Sequence, residues 1–135
     1  AEGNAGGEIL HCEPPRLLRV TWGGPASVVE LRLTAGDGGD TALELEHTVP
    51  VAMAGSGAGA LYVGPGWDIA ILGLGLFLRG ETVDDPEAWE NTQEVQSYSA
   101  RTIGAWVAAI EAFGTATAEE IAPAAEAARA QFTPG

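Results

Sequence analysis

Basic residues, cysteines and long apolar runs are scarce in this chain of 135 residues, and each scarcity excludes a class of function. Six basic residues stand against nineteen acidic ones and give a formal net charge of −13. Phosphate backbones and anionic lipid surfaces repel such a protein, so we expect it to bind neither nucleic acid nor membranes. The single cysteine, Cys12, allows no internal disulfide, and no segment has the pattern of a secretory signal. These absences favour a cytoplasmic protein.

The longest uninterrupted apolar run covers residues 69–78. It is far shorter than the roughly 20 apolar residues that a membrane-spanning helix needs. The run therefore predicts a core helix. Hydrophobic residues make up 46% of the chain, which is typical of globular proteins, and 135 residues leave room for one domain with one core.

Alternating apolar and polar residues dominate the first part of the chain. They predict four strands, at residues 8–13, 16–23, 27–36 and 40–49. In the third strand, for example, Val29 and Leu31 alternate with Glu30 and Arg32. Because the connections are short, consecutive strands must reverse direction, and we expect an antiparallel meander.

An apolar helix is predicted to follow a loop at residues 50–66. It begins at about Trp67 and carries apolar residues on nearly every side, which indicates burial on more than one side. The spacing of one stripe predicts the residues that face the sheet, namely Trp67, Ile71, Leu74 and Leu78. The sequence "GSGAGA" within the loop matches a dinucleotide fingerprint by its glycines alone, and without a strand–turn–helix context it predicts a flexible loop.

Helix start and stop signals divide the rest of the chain. Asp85 and Pro86 predict the start of a short helix, and Gly114 ends a longer amphipathic one. Thr117 and Glu120 form a capping-box pattern for a last, alanine-rich helix. The expected fold class is α+β, with four antiparallel strands packed on a long helix and a helical extension at the C-terminal end.

Three blocks of sequence resemble a known family. They are "GNAGGEILHCEPPRLLRVTW", "TALELEHT" and "GPGWDIAILGLGLFL", and their order is similar to the second half of the SRPBCC superfamily, in the branch called activator of heat-shock-protein-90 ATPase homologue-like. The resemblance implies a partial helix-grip fold, a curved sheet around a long helix with an apolar cavity between them. Residues 1–80, with a leading loop at 1–7, would form this domain, and residues 81–135 resemble the extension of some bacterial members.

The family fold has further elements that would precede Ala1, namely an opening strand, two short helices and two more strands. The resemblance therefore implies an unpaired edge at the strand of residues 40–49. We expect that the chain forms a homodimer, or that it is the downstream part of a longer protein whose upstream part completes the sheet.

The resemblance and the strand pattern together predict a cavity for a small hydrophobic molecule. The candidate ligand-binding residues are Trp22, Leu31, Leu33, Leu43, Leu45, His47, Trp67, Asp68, Ile71 and Leu74. The sequence shows no metal-ligand spacing, no cofactor motif and no catalytic set. Cys12 has no setting that would activate a thiolate, and we expect a buried strand thiol.

Two residues leave a catalytic alternative open. His47 could present a titratable nitrogen to the cavity, although no acid is placed to orient it, and a hydrogen-bonded structural histidine explains it as well. Asp68 could face the cavity mouth, although acids are also common at helix N-termini for electrostatic reasons. The expected function is non-catalytic ligand binding. The alternatives are a cyclase-type or hydrolase-type enzyme that uses His47 and Asp68, and co-chaperone-like protein binding.

Overall fold

Alternation with a period of two builds the first part of the chain into an antiparallel sheet. The computed structural model describes residues 6–135, so most of the predicted leading loop at 1–7 lies outside the described residues. The strands are β1 (Ile9–Glu13), β2 (Leu17–Thr21), β3 (Val28–Ala35) and β4 (Thr41–Thr48). Their order is β1-β2-β3-β4, and every neighbouring pair is antiparallel. The predicted meander is confirmed.

The register of the sheet places similar side chains opposite one another on neighbouring strands. Leu31 lies opposite Leu18 on one side and Leu45 on the other. The β3–β4 reversal is a 3-10 turn at Asp37–Gly39, in which Gly38 and Gly39 have φ of 69° and 85°. Only glycine adopts such left-handed angles at little cost, so this turn requires the glycines that the sequence supplies.

Cys12 corrects one sequence expectation. It lies in β1, an edge strand in which all five residues are exposed, and the thiol is exposed rather than buried. The pairing of β1 with β2 also shifts register between Ile9 and His11, where a bulge or irregularity interrupts the strict alternation. The period of two predicted the strand but could not show that it lies at an edge.

Helices make up the second part of the chain. They are α1 (Val51–Ala54), α2 (Gly64–Leu78), α3 (Pro86–Glu90), α4 (Gln93–Phe113) and α5 (Ala118–Phe132), with a 3-10 helix at Gly57–Tyr62. The chain forms two compact units, Ala1–Met53 and Ala54–Gly135. The apolar helix α2, expected to form one domain with the sheet in residues 1–80, belongs to the second of these units. An α+β fold with a four-stranded antiparallel sheet and several helices is confirmed.

The core of the helical unit is built from small and branched side chains on three segments. The 3-10 helix contributes Ala58 and Leu61, α4 contributes Ile103 and Ile110, and α5 contributes Ile121. Three alanines of α5 complete it, namely Ala124, Ala125 and Ala128. The expectation of a flexible loop at residues 55–60 is therefore wrong, because this segment carries buried core residues and is capped by the Ser56 hydroxyl, which accepts a hydrogen bond from the Ala58 N–H.

The helix α2 packs on its own unit through a different face from the predicted one. Gly64, Pro65 and Ile69 are its buried residues. Gly64 lies so close to the Trp106 indole that a β-carbon would overlap the ring. In the predicted stripe, Ile71 is 39% exposed and Leu78 is 73% exposed. A helix that is apolar on all sides gives the sequence no means to choose the packed face. Packing of the predicted stripe against the sheet stays a prediction.

The 3-10 helix and α2 together form an apolar helical run longer than the sequence suggested. Gly57–Leu78 spans 22 residues. Its most apolar part has a mean hydropathy of 1.5, and 22% of that part is buried. By length and composition alone, this run could cross a membrane. The structure thus adds residues 57–63 to the apolar segment, because a stretch that was predicted as a loop is helical.

Candidate functional site

The sheet has one apolar face, which is the first candidate site. Residues that lie opposite one another in register form it, namely Leu18, Val20, Val29, Leu31, Leu33, Leu43, Leu45 and His47. Val29 is buried, while Leu33 and Leu43 near the end of the β3–β4 hairpin are exposed. Five of the predicted cavity residues, from Leu31 to His47, are thereby brought together on one surface. The physical cause is the alternation of side chains along each strand.

One polar pair interrupts the apolar face. The ring of His47 lies opposite Val29, and its Nε2 is hydrogen-bonded to the hydroxyl of Ser27 at 2.7 Å. Burial lowers the pKa of His47 below its ordinary value of 6.5. Ser27 is itself buried, and its carbonyl accepts the N–H of Trp22 at 2.9 Å. The neutral imidazole with a serine partner supports the interpretation of His47 as a hydrogen-bonded structural residue.

Ser27 was not predicted, although its position in the sequence carried a signal. Ser27 stands two residues before Val29, so the two side chains fall on the same side of the strand. Val29 lies opposite His47, which places Ser27 on the side of His47. Trp22, in contrast, lies just beyond the end of β2 and is exposed. Its place among the predicted cavity residues is thus at the margin of the apolar face.

The opposite side of the sheet is the charged face. Arg19 Nε donates to Glu30 Oε1 at 2.7 Å. Arg32 donates to Glu30 as well, and its Nε donates to Glu44 Oε1 at 3.3 Å. Hydrogen bonds from Arg19 and then Arg32 hold the pKa of Glu30 below its ordinary range, and the Arg32 hydrogen bond does the same for Glu44. These mutual pairs satisfy the charges on this face, which favours a structural role for it.

Asp68, the second catalytic candidate, lies in the first part of α2 and contacts α4. The indole Nε1–H of Trp106 donates to Asp68 Oδ2 at 2.8 Å, and the hydroxyl of Tyr98 donates to the Asp68 backbone carbonyl at 3.2 Å. Burial, followed by the charge of Asp68, raises the pKa of Tyr98. A carboxylate held by an indole fixes α2 against α4, and this geometry supports the structural interpretation.

A groove within the helical unit was not predicted. It lies along α2 and is bounded by the 81–90 segment and the end of α5, with a volume of about 510 Å³. We call it the helical groove. Its lining residues are Gly66, Ile69, Ala70, Gly73, Phe77, Glu81, Thr82, Val83, Pro86, Trp89, Glu90 and Phe132. This lining includes none of the predicted cavity residues, because Trp67, Asp68, Ile71 and Leu74 lie on other sides of α2.

The His, Cys, Asp and Glu side chains of the described residues do not cluster into a metal-type group. Within residues 6–135 there is no group of three or more His, Cys, Asp or Glu side chains that could hold a metal ion. Cys12 is exposed. The candidate sites are therefore two apolar surfaces, the apolar face of the sheet and the helical groove.

Comparison with known proteins yields no assignment, since no family model, no curated protein and no solved structure matches this chain.

Proposed function

We propose that this protein is a non-catalytic, SRPBCC-like module that binds a small apolar molecule on the apolar face of its sheet. The observation that carries the proposal is the continuity of that face. Leu18, Leu31 and Leu45 lie side by side across three strands, and Leu33 and Leu43 extend the row toward the hairpin end. Small-molecule sites are lined mainly by such side chains, with a few polar groups that orient the ligand.

The polar groups of the proposed site are His47 and Ser27. A polar group of a ligand could replace one partner of the hydrogen bond that they share at 2.7 Å. A mostly apolar molecule with a single hydroxyl, carbonyl or similar group therefore fits this surface. The charges of the sheet do not compete for the ligand, because they lie on the opposite face in mutual pairs.

A titration with a neutral, apolar fluorescent probe, N-phenyl-1-naphthylamine, tests the proposal. Two neighbouring leucines of β2 provide a matched pair of variants, since Leu18 lies on the apolar face and Leu17 lies opposite Arg32 on the charged face. Both side chains are half-buried. We expect Leu18→Ser to weaken probe binding severalfold and Leu17→Ser to leave it unchanged.

Circular dichroism of both variants controls for loss of the sheet. Native mass spectrometry of the purified full chain, followed by solvent extraction, would identify a molecule that is retained from the cell. Equal effects of the two substitutions, or a full chain that binds neither the probe nor any extractable apolar molecule, would contradict the proposal.

A further inference from the structure

Two aromatic residues of the helical groove, Phe132 and Trp89, lie close to glycines of α2 and form its two walls. A β-carbon added at Gly66 would lie 3.4 Å from Cε1 of the Phe132 ring, and one added at Gly73 would lie 3.7 Å from the end of the Trp89 ring. The two glycines are seven residues apart, so the walls are separated by about 10 Å along the helix. Ala70 lies between them on the same side. The helical groove therefore has an aromatic residue at each end, and the distance between them is that of a small molecule.

Local hydrogen bonds order the backbone that carries the two aromatic residues. The N–H of Trp89 donates to the Asp85 carbonyl at 3.0 Å, and the Thr92 hydroxyl donates to the Trp89 carbonyl at 2.8 Å. Asp85 also caps α3 through the Ala88 N–H. Next to Phe132, the Thr133 N–H and hydroxyl both donate to the Arg129 carbonyl. A backbone that is already ordered reduces the ordering cost of binding.

Both charged residues in the lining of the helical groove are acidic. Glu81 and Glu90 line the helical groove, and no basic residue of the described chain is among its lining residues. Arg79 bonds Glu81 at 3.0 Å from outside the lining. Residues 54–135 carry eleven acidic residues and three arginines, so the field at this unit is strongly negative. Aromatic faces attract cations as well, through their ring quadrupoles.

We propose that the helical groove binds a small organic cation with an aromatic or branched alkyl body, such as a quaternary ammonium. Glu90 supplies the complementary charge, because Glu81 is paired with Arg79, and the rings of Trp89 and Phe132 supply the aromatic surface. A volume of about 510 Å³ is in the range of small-molecule sites. This site lies within the helical unit and is independent of the function proposed for the sheet.

Three probes of the same shape and different charge test the proposal. They are benzyltrimethylammonium, its neutral isostere neopentylbenzene, and the anion benzylsulfonate, each titrated into the full chain and followed by the chemical shifts of backbone amides. We expect the cation to bind about tenfold more tightly than the neutral probe, with shifts centred on Gly73, Trp89 and Phe132. The anion should not bind.

Matched variants locate the charge and the ring. Glu90→Gln should weaken binding of the cation by about two- to fivefold and leave the neutral probe unaffected. Trp89→Leu should weaken binding of the cation by about fivefold. Glu111→Gln makes the same charge change on α4, outside the groove lining, and should have no effect. The sheet variant Leu18→Ser should also bind the cation normally, which separates this site from the other.

Several results would overturn the proposal. Equal binding of the cation and the neutral probe would show an apolar groove without charge selection. Equal losses in Glu90→Gln and Glu111→Gln would show attraction by the net charge of the protein. Shifts outside the groove lining would place the cation elsewhere.

Discussion

The sheet unit and the helical unit use charge in opposite ways. In the sheet, the arginines 16, 19 and 32 all form salt bridges with glutamates, and Arg32 alone reaches three of them. In the helical unit, the acids cap helices or remain on the surface, and the described residues include one salt bridge, between Arg79 and Glu81. The two units differ in how their charges are paired rather than in net charge, since residues 1–53 carry eight acidic and three basic residues and residues 54–135 carry eleven acidic and three basic ones.

The two units also fill space differently. The apolar face of the sheet presents branched aliphatic side chains on a regular lattice. The helical unit brings backbones close together through alanine and glycine and places aromatic rings against them, as at Gly64 and Trp106. Substitutions that add atoms should therefore lower the stability of the helical unit more than that of the sheet. Substitutions that remove atoms should lower stability most at fully buried positions.

The largest effect is expected where the helical core is fully buried. Ile103 is 1% exposed, and Ile103→Ala should lower the free energy of unfolding by about 2–5 kcal/mol, because the removed atoms leave a cavity. Ile71→Ala removes the same atoms from a side chain that is 39% exposed, and it should cost less than about 1 kcal/mol. Urea denaturation measures both. Equal costs would show that the predicted stripe of α2 is packed after all.

Added methyl groups sharpen the comparison of packing. Gly64→Ala would push a β-carbon into the Trp106 ring and should cost about 1–3 kcal/mol. Gly104→Ala, on α4, meets no atom within 4 Å and should stabilise the helix by up to about 1 kcal/mol. Thermal melts of the two variants should move in opposite directions. A stabilising Gly64→Ala would contradict the close contact between α2 and α4.

Loss of the Asp68 carboxylate should have an intermediate effect. Asp68→Ala leaves the Trp106 indole without its acceptor at 2.8 Å and should cost about 1–2 kcal/mol. Asp68→Asn keeps an oxygen acceptor and should cost less. The tryptophan emission spectrum of the protein, to which Trp106 contributes, should shift in the alanine variant. If neither variant changed stability, the hydrogen bond would not anchor α2.

The smallest effect is expected from pH, and it should come mainly from the sheet. Burial lowers the pKa of His47 below 6.5, and hydrogen bonds from arginines lower the pKa values of Glu30 and Glu44 below 4.5. All three groups bind protons more weakly in the folded state. Stability should therefore fall as pH drops below 6.5, and again as it drops below 4.5. Melting temperatures across this range check both steps.

The variant His47→Gln is the control for the pH prediction. It keeps a hydrogen-bonding group beside Ser27 but cannot titrate, so the upper step should disappear and the lower one should remain. A native protein whose melting temperature is constant between pH 7 and 5 would rule out the contribution of His47.

The sequence was a good guide where structure is local. The alternation of Glu30 and Leu31 predicted both the strand and its two faces. The capping box is present, with the Glu120 N–H bonded to Thr117 Oγ1 at 3.2 Å, and Gly114 ends α4 at a φ of 67°. These signals depend on residues that are near one another in the chain, and a single sequence contains them in full.

The features that the sequence did not predict depend on distant partners. The helical groove needs Phe132 to reach Gly66, and the packed face of α2 depends on Trp106. Neither contact leaves a periodic pattern in α2, because that helix is apolar all round. Of the predicted site, the sheet residues were brought together by register and Asp68 contacts α4, whereas Ile71 and Leu74 of α2 are exposed.

The order of the strands also has a consequence for how the protein forms. Every pairing in the sheet joins strands that follow one another along the chain, through turns of a few residues. Closing such short loops costs little chain entropy, so each hairpin can nucleate by itself within microseconds. During translation, β1 to β4 are therefore all available while residues 54–135 are still being synthesised. We expect folding to be vectorial, with the sheet assembled before the apolar helices leave the ribosome.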